Sequence, residues 1–583
     1  MAAPLTNWVR QQLIVKSRIK FKEGMMKKKA TTAWWDKLGK PQYGGEMIIR
    51  ANWDIVNFDP YNAPLGTIHS AWLERLVSDD WTLNPGIYDF KTHYHPYQYL
   101  RGHMAASWEF TDPGTYVIHL RQGIHWQYLP PANGREFVAE DVIFHINRLC
   151  GRSGFKPNPR CPPGFKDLIS VTAADKYTVV FKWQITNPDT IMETMHSIGN
   201  AQFMENPEAV EQWGDLNDWH HAIGTGPFIL QEFVPGVSAT LVKNPNYYGY
   251  DERYPRNKLP YVDGVKYLIL PDEAKAIEAL RAGKIDIVDQ ISPVQALAVR
   301  NTNPEILQVT HPDANAESLE PRNDVAPFND IRVRKAMQMA IDLPDIAKKH
   351  YQGTVEPYPA TMTSRYMKGF GFPYEEWPQA LKDEYVYNPA AAKELLAEAG
   401  YPHGFKTNVV ADTGGDIKLL EVVKAYFAAV GIEMEIRPVD YATFNKFVKT
   451  DHKHDQMTYH PAGSPLGHTS APIHDLIRFR TGSEFDYMMV SDPVFDSFYD
   501  QAMATNDADR VKQILKDANR RVAEQHFSIA LLQPLAYSLF QPWFKGFNGQ
   551  FGVPWSHAGG PAMLSFYLAR FWIDQDLKKS MGH

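Results

Sequence analysis

Apolar residues along this chain change period many times, and each change marks a predicted element. Met47-Ile48-Ile49-Arg50-Ala51 reads as a strand, and the run from Asn52 to Pro60 breaks it into a loop. Leu73, Leu76 and Val77 predict a short helix after that loop. Ser107 to Phe110 and Tyr116 to Leu120 flank Asp112-Pro113-Gly114, the pattern of a hairpin. Val142, Ile146 and Leu149 then recur at helical spacing, and Val171 to Trp183 reads as a second hairpin. From Ile223 to Val288 a Gly/Pro-rich turn leads into apolar strands, an Ala-rich helix over about 272–282 stopped by Gly283, and a closing strand at Ile285 to Val288.

The second half repeats helix, glycine and strand. Ile306 to Thr310 predicts a strand. Asp330 is placed as the N-cap of a helix whose Val333, Ala336, Met337, Ala340 and Ile341 share one face. Asn388-Pro389 pairs a cap with proline at the first helical position, and Gly400 and Pro402 end that helix. Leu419, Val423, Tyr426, Phe427 and Val430 form another helical face, Gly431 stops it, and Ile432 to Ile436 alternates as a strand. Val511, Ile514, Leu515, Ala518 and Val522 give a long helix, followed by strands at Ser528 to Leu532 and Tyr537 to Phe540. Such alternation predicts an α/β protein.

Composition narrows the picture. The chain has 583 residues, a formal net charge of −7 and 44% hydrophobic residues, which suits an ordinary folded protein of roughly two to four domains. Slight acidity and the absence of a basic, aromatic-interleaved motif give no reason to expect nucleic acid. No run of about 18 apolar residues occurs, so no spanning helix is predicted. Fifteen Trp, 29 Tyr and 30 Phe fill a core and also suit a large cleft that grips a ligand through rings.

Several segments resemble the extracytoplasmic solute-binding proteins of ABC importers, family 5, the peptide- and nickel-type binders. These are Gly224-Thr225-Gly226-Pro227-Phe228, Asn244-Pro245-Asn246-Tyr247-Tyr248, Ser107-Trp108-Glu109 with Phe137 to Val142, Phe328 to Met337, and Tyr387 to Phe405. The resemblance covers roughly 43–575. It implies a two-lobed periplasmic-binding-protein-like α/β fold of type II, with a subdomain inserted in the first lobe. On that pattern 43–80, 221–311 and 537–575 form lobe I, 81–220 the insert and 312–536 lobe II, with crossings near 306–320 and 530–540. It also implies a monomer that binds a solute between its lobes outside the cytoplasm and docks on an ABC permease, with no cofactor and no covalent chemistry. The solute implied is a peptide. An oligosaccharide or a nickel or other metal chelate, or a role as a non-transport scaffold, are the alternatives. Residues 1–42 are basic, with Lys27-Lys28-Lys29, but lack the apolar block of a secretory signal and a cysteine to take a lipid; a flexible leader is expected there.

No catalytic constellation is present: there is no G-x-S-x-G, Walker loop, H-E-x-x-H or C-x-x-C. Gly224-Thr225-Gly226 runs into a strand and lacks a following Gly and Lys, so it reads as a turn. Family members place ligand-contacting groups around Met457 to Ile473. Dipeptide binders of the family use an Asp there for the peptide amine and an Arg in the loop before a helix for its carboxylate. Here Tyr459 to Ser470 holds neither Asp nor Glu, and Asp412-Thr413-Gly414-Gly415-Asp416 holds no Arg. That points away from dipeptides and leaves a longer peptide, held by its backbone, open. Trp53, Tyr61 and Trp126 are the candidate ring platforms of lobe I. Tyr459 and Phe485 are those of lobe II, with His460, Ser464 and His468 as polar contacts. Five histidines fall between His452 and His474, but their spacing matches no compact metal motif. The two cysteines, Cys150 and Cys161, flank a loop with two Gly and two Pro; a disulfide is expected, two free thiols being the alternative.

Overall fold

The computed structural model describes residues 33–52, 55–61, 68–80, 82–88, 97–158, 161–184, 191–192, 194–195, 203–312, 317–362, 369–460, 472–483, 485–505, 507–549 and 568–583. The described chain begins with a single helical turn, Trp34–Leu38. The stretch that follows is docked: Gln42 and Tyr43 exchange hydrogen bonds with Asp574 and Gln575. Strand β1, Glu46–Ala51, comes next. The helix expected at Leu73 to Val77 is absent. A helical turn lies earlier, at Ile68–Ala71, and Val77–Asp79 is a strand paired with Leu100–Gly102. Three apolar residues in a short window could not separate the two alternatives.

The inserted unit is a four-stranded antiparallel sheet with one long helix. Its strands are β2, Ala105–Asp112, and β3, Thr115–Leu120, then, after helix α1, Ala139–Leu149, β4, Leu168–Asp175, and β5, Thr178–Trp183. The spatial order is β2-β3-β5-β4. Val142, Ile146 and Leu149 are buried under α1, as their spacing predicts. Cys150 follows α1 directly and is bonded to Cys161 with their Cα atoms 5.2 Å apart, inside the usual range for a disulfide. Both pack beside Tyr61 and Leu149. With 11 residues of sequence separation, removing the bridge by C150S/C161S should cost about 2–3 kcal/mol in chemical denaturation. Alkylation of the unreduced protein should add no label by mass spectrometry; two labels would refute the bridge.

The chain then returns to the sheet of β1 through β6, Phe228–Val234, β7, Ser238–Lys243, and β8, Gly264–Ile269. Helix α2, Glu273–Arg281, is capped by the Asp272 side chain, and β9, Ile287–Ile291, follows. After β10, Leu307–Pro312, the chain leaves this sheet. It enters a second sheet at β11, Ser318–Pro321. Helices α3, Ile331–Met339, and α4, Pro389–Glu398, carry the Asp330 and Asn388 caps read from sequence. Then come β12, Phe405–Asp412, α5, Ile417–Ala429, β13, Ile432–Val439, and β14, Met457–Tyr459. A long helix α6, Ala508–Gln525, leads to β15, Ile529–Ala530, and β16, Leu535–Phe540, which rejoins the first sheet.

The two large sheets have orders β10-β16-β9-β1-β8-β7-β6 and β13-β12-β14-β11-β15. Each has its own apolar core, one built on Met47, Ile49, Trp72 and Tyr267, the other on Val333, Met337, Leu419 and Phe427. Two passages join them. One leaves β10 for β11, the other leaves β15 for β16. They touch where Glu317 N–H donates to the Leu532 carbonyl and Leu531 N–H to the Glu317 carbonyl, both at 2.9 Å. Two lobes linked by two adjacent crossings is the geometry of a hinge.

The turn at Gly224-Thr225-Gly226 is structural. Gly226 N–H donates to the Trp72 carbonyl at 2.8 Å, and a Cβ on Gly226 would lie 2.7 Å from that oxygen. Beneath it, Glu74 is fully buried, accepts from three hydroxyls and lies against His103. His103 Nε2 and Tyr247 OH lie at 2.8 Å, Thr225 Oγ1 at 2.8 Å and Tyr248 OH at 3.3 Å. His103 belongs to the segment just before β2, so this cluster fastens the inserted unit to lobe I.

Candidate functional site

In sheets with parallel strands, ligands bind outside the carboxyl ends. In the second sheet β12 runs parallel to both β13 and β14. Their carboxyl ends, at Asp412, Val439 and Tyr459, therefore share one edge. β11 pairs with β14 antiparallel, Glu320 opposite Thr458. Its start beside the hinge residue Glu317 thus lies at this same edge. In the first sheet β1 is parallel to β8 and β9, and the chain exits β10 into the crossing. The carboxyl ends of both sheets thus border the crossings, with Asn52, Leu270 and Ile291 on one side and Asp412, Tyr459 and Glu317 on the other.

The lobe II edge is a network of acids held by hydrogen-bonding partners. Asp412 ends β12, is buried, and accepts from Gly414 N–H at 3.0 Å; its other oxygen lies 2.8 Å from His460 Nδ1. Burial pushes its carboxyl up, but the His460 and Gly414 hydrogen bonds outweigh this and hold it below the ordinary value. Asp416 caps α5 through Leu419 N–H at 2.9 Å and meets His350 Nε2 at 2.6 Å. Burial again raises it and the His350 bond outweighs that, for a net lowering. Tyr459 OH donates to the Glu317 carboxylate and accepts from Asp416 N–H at 3.2 Å.

His460 also bonds Lys449. Nζ lies 2.9 Å from Nε2, so a charged Lys449 donates, Nε2 accepts, and Nδ1–H faces Asp412. Lys449 lies on the π turn Asn445–Thr450, after the short helix Tyr441–Phe444, a kind of turn frequent at functional sites. The His460 ring stacks on Phe444 and Tyr441, with centroids 5.0 and 5.8 Å away.

Lobe I contributes a bulge. Pairing of β9 with β16 shifts register between Val288 and Ile291, and Gln290 has φ 58, rare for a residue with a side chain. Its Oε1 accepts from Asn52 Nδ2 at 3.1 Å, and Arg50 ties down the carbonyls of Leu270 and Pro271 at 2.9 Å. Asp289, beside Gln290, is pushed up to about 6 by burial, partly offset by the Ser538 hydroxyl and Arg50.

The expected site residues divide. His460 is on the edge and half-buried. Tyr459 is there too but wholly buried, so it supports the edge through its hydroxyl and offers no ring face. Trp126 is fully buried in the core of the inserted unit and is no platform. Tyr61 is buried as well; its OH meets Glu205 at 2.6 Å and Arg148 stacks on its ring. Phe485 is a half-buried turn residue. Trp53, Ser464 and His468 lie outside the described residues. His454 is buried with Nε2 2.7 Å from the Tyr487 carbonyl, and burial pulls it down to about 4. Among the described residues no group of three or more His, Cys, Asp or Glu could hold a metal ion. Lys449, His350 and Glu317 were not singled out by sequence. They converge on Asp412 and Asp416 from 317 to 460, and no local spacing signals that.

Residues 100–471 match the bacterial extracellular solute-binding proteins, family 5 Middle. Heme-binding protein A of Haemophilus influenzae is 26% identical over 372 residues, 59% of this chain and 63% of that protein. The dipeptide-binding protein of Pseudomonas aeruginosa is 25% identical over 473 residues, 76% of this chain and 83% of that protein. Among solved structures, the ABC transporter-associated periplasmic binding protein DppA of Helicobacter pylori, in complex with the peptide STSA, superposes with a TM-score of 0.69. It is 20% identical and the match covers 91% of this chain and 99% of that one. Among the described residues no helix is long and apolar enough to cross a membrane.

Proposed function

The chain belongs to the bacterial extracellular solute-binding proteins of family 5, and from that premise we propose that it captures a peptide between its two lobes for delivery to an ABC permease. Membership of the family supports binding outside the cytoplasm, without chemical change to the solute. The peptide is supported by relatives named for dipeptides and for glutathione, the latter the Escherichia coli protein GsiB at 24% identity over 86% of its length. The observation that carries the reading is the pair of sheet edges meeting at the crossings, with Asn52 and Gln290 on one and Asp412, Asp416 and His460 on the other. Closure about the hinge would bring these polar groups onto a solute and exclude water.

A thermal-shift screen over peptides from dipeptides upward tests it. Binding to the folded state alone raises the melting temperature, so a subset of peptides should do so, with longer peptides ahead of dipeptides. Small-angle scattering on the best of these should show a smaller radius of gyration as the lobes close. No shift with any peptide would sink the peptide reading. Dipeptides giving the largest shifts would overturn the inference from the anchors absent at 412–416 and 459–470.

A further inference from the structure

Building on the peptide reading, we propose that Lys449 is the anion anchor of the site: it takes a carboxylate of the bound peptide, and His460 and Asp412 position it. Four observations carry this. First, Lys449 reaches the ligand-facing edge of lobe II, because its Nζ is 2.9 Å from His460, the residue directly after β14. Second, its direction is fixed. The ammonium lies 5.2 Å from the centre of the Tyr441 ring and 6.0 Å from that of Phe444; cation–π attraction holds it over both. Asp412 grips the far side of the imidazole at 2.8 Å.

Third, among the described residues no carboxylate forms an ion pair with Lys449; the acceptor it has is a ring nitrogen of His460. Burial pulls the ammonium down to about 8, against the attraction of Asp412. A desolvated ammonium short of a counter-charge gains most from a bound anion. Fourth, the edge otherwise presents carboxylates, Asp412, Asp416 and Glu317, each already bonded to His460, His350 or Tyr459. Lys449 is therefore a cationic side chain that this edge holds ready, contributed by a π turn and not by the 412–416 loop.

The test uses the full chain and the tightest peptide from the thermal-shift screen, prepared as free acid and C-terminal amide. If that peptide carries Glu, the Gln analogue is added. Isothermal titration with wild type should give at least tenfold tighter binding for the acid in one of these matched pairs. K449M should bind the acid only as well as its neutral analogue, while keeping wild-type affinity for the neutral analogue; that equality reports an intact fold. K449R should retain part of the preference. Wild type binding every acid and neutral pair equally would overturn the inference and leave the peptide reading standing. So would K449M keeping the preference. K449M losing both forms would assign Lys449 a structural role and also overturn it. Wild type binding no peptide in either form would overturn the peptide reading, and the inference with it.

Discussion

Glu74→Ala should lower the unfolding free energy by about 3–5 kcal/mol, the loss expected when one partner of a buried ionic cluster is removed. The carboxylate is wholly buried, lies 2.8 Å from His103 Nε2 and is the shared acceptor for Thr225, Tyr247 and Tyr248. Its removal leaves those donors in a cavity with nothing to receive them. Burial raises the Glu74 carboxyl, but His103 and the hydroxyls outweigh it and the net shift is downward. A folded-state value below the unfolded one means that the group stabilises the fold above the unfolded value. That contribution is lost as pH falls through the folded one. Guanidinium melts of wild type and Glu74→Gln at several pH values should therefore show a gap that is full at neutral pH and narrows in acid. A gap independent of pH would remove the charge from the explanation.

Gly224→Ala should cost about 3 kcal/mol, at the upper end of overpacking effects. The added Cβ would overlap the Trp72 carbonyl oxygen, which already accepts from Gly226 N–H at 2.8 Å. Backbone cannot swing aside as a side chain can. Gly224 is also bonded on both its N–H and its carbonyl to Gln127 of the inserted unit. Equilibrium denaturation of Gly224→Ala beside Gly236→Ala, where a Cβ meets open space although φ is 69, separates crowding from backbone strain. A smaller loss at Gly224 than at Gly236 would mean that Trp72 moves freely, contrary to the packing described.

Elements with local punctuation were legible in the sequence. Asp330 and Asn388 cap the helices they were expected to cap, and Gly400 and Gly431 take φ values of 93 and 89 after helices they were expected to stop. Those signals act over a few residues and need no tertiary information. The Leu73 to Val77 segment had no such punctuation, and sheet pairing with Leu100–Gly102 decided its form. The candidate rings failed for a different reason. Composition shows that Trp126 and Tyr61 are large and amphipathic, but not whether they face a core or a cleft, and both face a core. The polar edge was half legible. His460 was visible because its segment matched a family pattern. Asp412 and Asp416 lie in a loop that lacks the family's arginine, and the π turn that carries Lys449 has no sequence signature to mark it.

Where the ends of the described chain lie also decides how the molecule can be held. β1 starts at Glu46, opposite the start of β8 at Gly264, so Gln42 and Tyr43 sit at the amino end of the lobe I strands, far from the edge that borders the crossings. The segment around Asp574 and Gln575 is bonded to them there. A linker joined at either place leads away from the back of one lobe. A chip surface, a bead or a fluorescent partner attached there leaves the opposed edges clear.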